Sequence, residues 1–372
     1  MRILSNLAFF QSRRWREETA SICRPDESPD TLPAPVQVAR LLRGRGKADA
    51  VVTMGSRVSF LYGLACALAG LDAKQVMMEV FPDFPARASV ARRVKRAAFR
   101  FVAKRARGVV AAASAEAEEL AARLGLPRER VPFVPLYATV SPEEAAGAED
   151  GGFVFSGGRS WRDWKTLAAA AEGVELPFVL AVGGEADMPG SVPANVKVFR
   201  EMPLAAYRAR LRAARIVAVP LVPVARSTGQ VALLEAMAYG KPVVASAVAG
   251  VADYVEDGRN ALAVPPEDPA AMREAILRLA GDGALRARLG EAARIAAAEE
   301  EAANSALLEG VDLSDKEPEE VVLLQEAAKQ VRSLHKFAET RDLSKNERRA
   351  LSRSEELLRN AGADIDMILG TD

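Results

Sequence analysis

One carboxylate, Glu235, stands inside Val231–Tyr239, a run otherwise made of apolar or small residues within "RSTGQVALLEAMAYGKPVVAS" (Arg226–Ser246). On a helix, its neighbours three and four places away are Ala232, Val231, Ala238 and Tyr239. Leu233, Leu234 and Met237 cover the other faces, so the pattern predicts a helix buried all round. A carboxylate buried without compensation is strongly unfavourable, so Glu235 must face either a partner or a ligand.

Two nearby segments carry anion-binding chemistry. Ser227, Thr228, Gly229 and Gln230 open the same helix, where hydroxyls, N–H groups and the helix dipole all favour negative charge. In "SGGRSWRDWKTLAAA", Gly157 and Gly158 end a strand and allow close backbone approach, and Arg159, Arg162 and Lys165 follow before the next helix. Such a loop is a candidate diphosphate cradle. A diphosphate on these two segments, with Glu235 accepting hydrogen bonds from sugar hydroxyls, describes a site for a nucleotide-diphosphate sugar. Glu235 then meets a ribose. The plainer alternative pairs it with Lys241 or a core arginine.

Other chemistry is excluded by what the chain lacks. Its single histidine, His335, lies near the C-terminus, so Ser-His-Asp and Cys-His catalysis have no base in the body of the protein. There is no GxxxxGK[ST] segment of the P-loop kind. The two cysteines, Cys23 and Cys66, have neither a pairing pattern nor metal-ligand spacing, which points to a reducing compartment.

The elements that must position these residues are βα units. Short β-branched runs alternate with Ala-, Leu- and Arg-rich stretches, as in a parallel sheet covered by helices. Strands are expected at Arg2–Leu4, Asp49–Met54, Gln75–Val80, Gly108–Ala113 and Val131–Leu136. A second series starts at Phe153, Pro177, Asn195, Arg215, Pro242 and Asn260, and Asp268 with Pro269 reads as a helix start. Between them, Ala138–Gly152 loses periodicity and gathers Pro, Gly and acids, the mark of a linker. The expectation is an α/β chain of two doubly wound domains facing a cleft, residues 1–145 and 146–300, with a helical tail over 301–372. The tail pattern from Pro318, with a capping box at Ser344 and Glu347, suggests a helical hairpin that packs on the body, self-associates or takes a protein partner.

The 372 residues carry 50 basic and 50 acidic side chains, a balance that argues against nucleic acid as the main partner. The N-terminal apolar segment is short and is followed by arginines, unlike an export signal, and the run Val58–Leu71 is too short to span a bilayer. A cytoplasmic protein is expected. From Asp83 to Glu116 no acidic residue intervenes, while Arg87, Arg92, Arg93, Lys95, Arg96, Arg100, Lys104, Arg105 and Arg107 cluster among apolar residues. That helix suits the surface of an anionic membrane, or is a solvated face packed on the sheet.

These residues also resemble a family. "STGQVALLEAMAYGKPVVASAVAGVADYVEDGRNALAVPPEDPAAMREAI" is similar to the donor-domain signature of retaining family-4 glycosyltransferases of the GT-B fold. "FVFSGGRSWRDWKTL" resembles the opening of that domain, and "RVKRAAFRFVAKRARGVVAAASAEAEELAARLGLPRERVPFVPL" resembles the end of the acceptor domain. The resemblance implies two Rossmann-like domains, a UDP-, GDP- or ADP-linked sugar as donor, and a glycan, lipid-linked or protein hydroxyl as acceptor, with no metal and no further cofactor. It implies that Glu235 binds the donor ribose and that Arg159 and Lys165 neutralise the diphosphate, with Arg162 a substitute. The family's second glutamate, eight positions before Glu235, is Ser227 here, which keeps a non-catalytic nucleotide-sugar-binding scaffold as the alternative reading. A sugar-nucleotide epimerase of the same fold would need paired acid and base residues that the sequence does not offer. On the acceptor side, Arg14 and Arg16 follow the first strand, and Gly55 and Ser56 follow another.

Overall fold

The computed structural model describes residues 2–7, 19–24, 27, 31–82, 90–136, 138, 140, 142–145 and 150–309, with 351, 352, 355 and 359 besides. The chain forms two compact units, one built on Met1–Val134 and the other on Pro135–Ser305.

The first unit contains β1 (Ile3–Ser5), β2 (Thr19–Ser21), α1 (Ala34–Gly44), β3 (Ala50–Met54), α2 (Ser56–Leu68), β4 (Gln75–Met78), α3 (Val90–Arg105), β5 (Gly108–Val110) and α4 (Ser114–Leu124). All its strands pair in parallel, in the order β2-β1-β3-β4-β5. The order reverses between β1 and β3, so the loops leaving those two strands splay apart over the carboxyl edge of the sheet. Leu4, Leu41, Val51, Tyr62 and Cys66 fill the core on one face. Within the sheet, the Thr53 hydroxyl accepts from Ser59 Oγ at 2.9 Å and from Gln75 Nε2 at 2.8 Å. Expected strands appear at Arg2–Leu4, Asp49–Met54, Gln75–Val80 and Gly108–Ala113, each shorter or shifted by a residue. Val131–Leu136 is instead an irregular segment touching the sheet edge through one bridge, Phe133 with Ala111. β2 carries only three residues and no apolar alternation, so its pairing depends on the neighbouring β1 rather than on its own pattern.

The second unit contains α5 (Pro142–Ala145), β6 (Val154–Gly158), α6 (Trp164–Ala171), β7 (Phe178–Val182), β8 (Val196–Arg200), α7 (Leu204–Ala213), β9 (Ile216–Val219), α8 (Gln230–Ala238), β10 (Val243–Ser246), β11 (Leu262–Val264), α9 (Pro269–Gly281) and α10 (Gly283–Glu309). Its six parallel strands run β11-β10-β9-β6-β7-β8. All six sequence-expected strands are present. β7, β9 and β10 are buried along their whole length, as continuous apolar runs in a sheet covered on both faces must be. Val154, Leu167, Phe178, Leu180, Ile216, Val244, Met272 and Ile276 form the core between the sheet and its helices. Asp268 caps α9 as its sequence announces, accepting from Ala270 N at 3.0 Å and Ala271 N at 2.9 Å, with Pro269 in the first turn. α10 continues to Glu309, past the expected tail boundary at residue 301. The expected hairpin, with Pro318, His335 and the Ser344–Glu347 box, lies outside the described residues, as do Arg14 and Arg16.

Candidate functional site

In the six-stranded sheet the strand order reverses between β6 and β9, whose connections leave on opposite sides. That point, at the carboxyl ends of the strands, is where doubly wound sheets take ligands. The loop after β6 holds Arg159–Asp163 and the loop after β9 holds Pro220–Gly229, so the topology brings both sequence-predicted anion segments to one edge of one sheet. The two loops are bound to each other: Asp163 N donates to Pro220 O at 3.1 Å, Val222 N donates to Trp161 O at 3.2 Å, and Arg162 bridges to Leu221.

The helices at this edge begin differently. α6 is capped by Asp163, whose Oδ1 accepts from Thr166 N at 3.0 Å, and α9 by Asp268. α8 starts at Gly229, with φ of 88° and no side-chain cap. Its first-turn N–H groups have no intrahelical acceptors, so this N-terminus is electropositive. Leu221 packs against Gly229, where a Cβ would collide with its methyls, and Gly250 lies against the backbone of Arg226–Thr228. Gln230 secures the turn by donating from Nε2 to Gly250 O. Beside it, the hydroxyls of Thr228 and of Ser156 on β6 are buried without a protein hydrogen-bond partner.

The cations after β6 have separate duties. Arg162 folds back over the strand end, donating from Nε to Gly157 O and from Nη1 to Ser160 O, each at 3.0 Å, and so shapes the loop. Gly157 is required by Tyr207, whose ring occupies the space a Cβ would take and meets Phe155 edge-on at 5.2 Å. Arg159 is exposed and reaches Glu201 at 3.1 Å, and Lys165 reaches Asp187 at 2.6 Å on the surface. Exposed pairs of this kind hold their partners weakly, about 0 to 1 kcal/mol, so an anion can displace the carboxylates. Trp161, with φ of 57°, is exposed at the loop tip with the Arg226 guanidinium 6.0 Å from its ring centre.

α8 is buried as the sequence requires, except at Val231, and Glu235 is only 4% exposed. The expectation that Glu235 meets no ion-pair partner is corrected: Arg208 on α7 donates to its Oε1 from Nε at 3.2 Å and from Nη2 at 3.0 Å. This is the core arginine of the plainer reading. Burial nevertheless pushes the carboxyl pKa above its ordinary value, against the pull of Arg208, and Glu144 raises it further. Burial also pushes the Tyr207 hydroxyl up to about 12, reinforced by Glu235 and opposed by Arg162.

Sequence reasoning did not name Ser156, Tyr207, Arg208, Glu201 or Asp187. Arg208 is one of several arginines in "YRARLRAAR", and only the packing of α7 tells which one turns inward. In the first unit, Gly55 and Ser56 lie at the carboxyl end of β3, beside its reversal point. Gly55, with φ of 86°, starts α2 without a side-chain cap, and Ser56 Oγ accepts from Phe81 N at 3.0 Å. Among the described residues, no group of three or more His, Cys, Asp or Glu side chains is placed to hold a metal, and no helix is long and apolar enough to cross a membrane.

Comparison with known proteins points the same way. Residues 162–282 match the family model for glycosyl transferases group 1. An 83-residue stretch is 46% identical to a D-inositol 3-phosphate glycosyltransferase of Salinispora arenicola, and an 82-residue stretch is 43% identical to the Streptomyces avermitilis protein of that name. These matches cover 22% of this chain and only 18% and 17% of those relatives. Among solved structures, Anabaena HepE in complex with UDP superposes with a TM-score of 0.59 at 18% identity, over 80% of this chain and 94% of that one. Sucrose-phosphate synthase from Thermosynechococcus elongatus gives 0.53 at 20% identity, over 71% of this chain and 73% of that one. The protein is thus an α/β chain of the GT-B fold, and residues 162–282 of its second unit are similar to glycosyl transferases group 1.

Proposed function

We propose that the chain transfers a sugar from a nucleotide diphosphate to an acceptor hydroxyl, with the diphosphate held at the start of α8. The observation that carries this reading is the uncapped N-terminus of α8 at the reversal point of the sheet, with the Thr228 hydroxyl buried and unpartnered beside it. An oxyanion there accepts from the Thr228 hydroxyl and from the N–H groups of the first turn. Arg159 and Lys165 exchange Glu201 and Asp187 for the phosphate oxygens and stabilise the charge that grows on them as the glycosidic bond breaks. The acceptor oxygen bonds to the anomeric carbon on the face the diphosphate leaves, and its proton passes to the departing phosphate. Gly157 and Arg162 shape the loop that makes this approach, and Ser227, Gly229 and Gln230 shape the turn. Glu235 accepts from the donor ribose while remaining tied to Arg208. In the first unit, Gly55 and Ser56 are assigned to the acceptor, a glycan or lipid-linked hydroxyl. Solved complexes of HepE with UDP and with UDP-glucose are the reason to try UDP-linked sugars first.

The test is titration calorimetry of the purified chain with UDP, GDP and ADP and their sugars. One nucleotide family should bind, and Thr228→Val should weaken it about tenfold, the loss of one hydrogen bond to a charged group. Failure of all three families to bind folded protein, or undiminished binding by Thr228→Val, would sink this reading. Ser227, in the place of the family's second glutamate, favours the scaffold as second reading. Tight donor binding without release of nucleotide in the presence of any hydroxyl acceptor would decide for it.

A further inference from the structure

The basic helix α3 is anchored in the first unit by one face. Phe99 stacks on Phe60 of α2 with ring centres 5.5 Å apart, and Phe99, Val102 and Ala103 are buried. Nothing in the fold requires apolar residues on the opposite face. Yet Val90 is 72% exposed, Val94 63% and Phe101 51%, and Ala97 between them is exposed as well. At about 100° per residue these four fall within roughly 60° of one another, centred away from Phe99. They make an outward apolar stripe about three turns long.

The stripe is bordered by cations. Arg93 and Lys104 flank one side, and Arg105 flanks the other, its guanidinium 5.8 Å from the Phe101 ring centre. Lys95 is exposed on the same helix, and no acidic side chain occurs between Asp83 and Glu116 to neutralise them.

We propose that this face of α3 docks on an anionic lipid surface. The stripe enters the boundary between headgroups and acyl chains, and Arg93, Lys104 and Arg105 meet the lipid phosphates. Charge complementarity selects this occupant. A second copy would bring the same uncompensated cations against themselves, and a nucleic-acid backbone offers nothing apolar for Val90, Val94 and Phe101. The inference does not depend on which sugar nucleotide the second unit takes.

Cosedimentation of the full chain with vesicles tests it. Binding is expected to vesicles of equal parts phosphatidylcholine and phosphatidylglycerol, not to phosphatidylcholine alone, and should fall as salt rises. Val94→Ser with Phe101→Ser should lower partitioning about tenfold or more. Arg93→Gln with Lys104→Gln should lower it to a similar degree. Phe101→Leu should retain binding. All these side chains are exposed, so the variants should melt with the parent. The proposal fails if the parent does not bind the mixed vesicles, or if the doubly serine-substituted chain binds them equally. It also fails if the parent forms a lipid-independent dimer that Phe101→Ser dissolves, since the stripe then belongs to a second copy.

Discussion

The two sheets reverse their strand order in the same way and treat the reversal point oppositely. In the first unit, Asn6 follows β1 and laces the gap: its Oδ1 accepts from Met54 N at 2.7 Å, and its Nδ2 donates to Met54 O at 3.2 Å and to Gln37 Oε1 at 2.8 Å. In the second, the equivalent gap between β6 and β9 leaves two buried hydroxyls, Ser156 and Thr228, without protein partners. Both sites start a helix with an uncapped glycine, Gly55 or Gly229. What separates them is polar satisfaction. The first reversal point spends the polar groups of Asn6 on the fold, while the second keeps two surplus hydroxyls beside a helix N-terminus, where a ligand could use them.

The largest effect should come from Glu235, next to the second reversal point. Glu235→Ala removes the carboxylate that the largely buried Arg208 donates to twice and should cost about 3 kcal/mol in urea unfolding. Glu235→Gln keeps one acceptor and should cost clearly less. If both are neutral, the pair is not what holds α7 to α8. Next comes the contrast itself. Asn6→Ala strips hydrogen bonds from buried backbone and should cost about 2 kcal/mol, while Ser156→Ala should cost nearly nothing, because its hydroxyl has no protein bond to lose. Equal costs in the two variants would erase the distinction between the sites.

The smallest effect is in alkali. The folded-state pKa of Tyr207 is raised above the ordinary value of 10.0 to about 12, so the folded state keeps a proton that the unfolded chain releases. The stability it contributes is complete below pH 10 and is lost as pH rises through the window toward 12. Melting temperature should therefore fall less steeply across that window in Tyr207→Phe than in the parent. Equal slopes would mean that the ring is not enclosed by Gly157 and Phe155 as described.

The sequence by itself determined the sheets and their helices wherever local pattern is strong. The six runs of the second unit had to be strands, Asp268 with Pro269 had to start a helix, and the lone carboxylate in an apolar helix had to face either a partner or a ligand. It also placed glycines and cations at the two loops that the topology later brings to one edge. Only the tertiary structure decided the rest, because those outcomes depend on contacts between residues far apart in the chain. Arg208 lies 27 positions before Glu235 among look-alike arginines. Arg162, Arg159 and Lys165 read alike as cations, yet one is spent on loop carbonyls and two on surface carboxylates. β2 has no pattern of its own, and Val131–Leu136 has a strand's pattern without a strand's neighbours. On α3, composition gives the mixture of arginine and apolar residues. Only the packing of Phe99 against Phe60 fixes the rotation of the helix and turns Val94 and Phe101 outward.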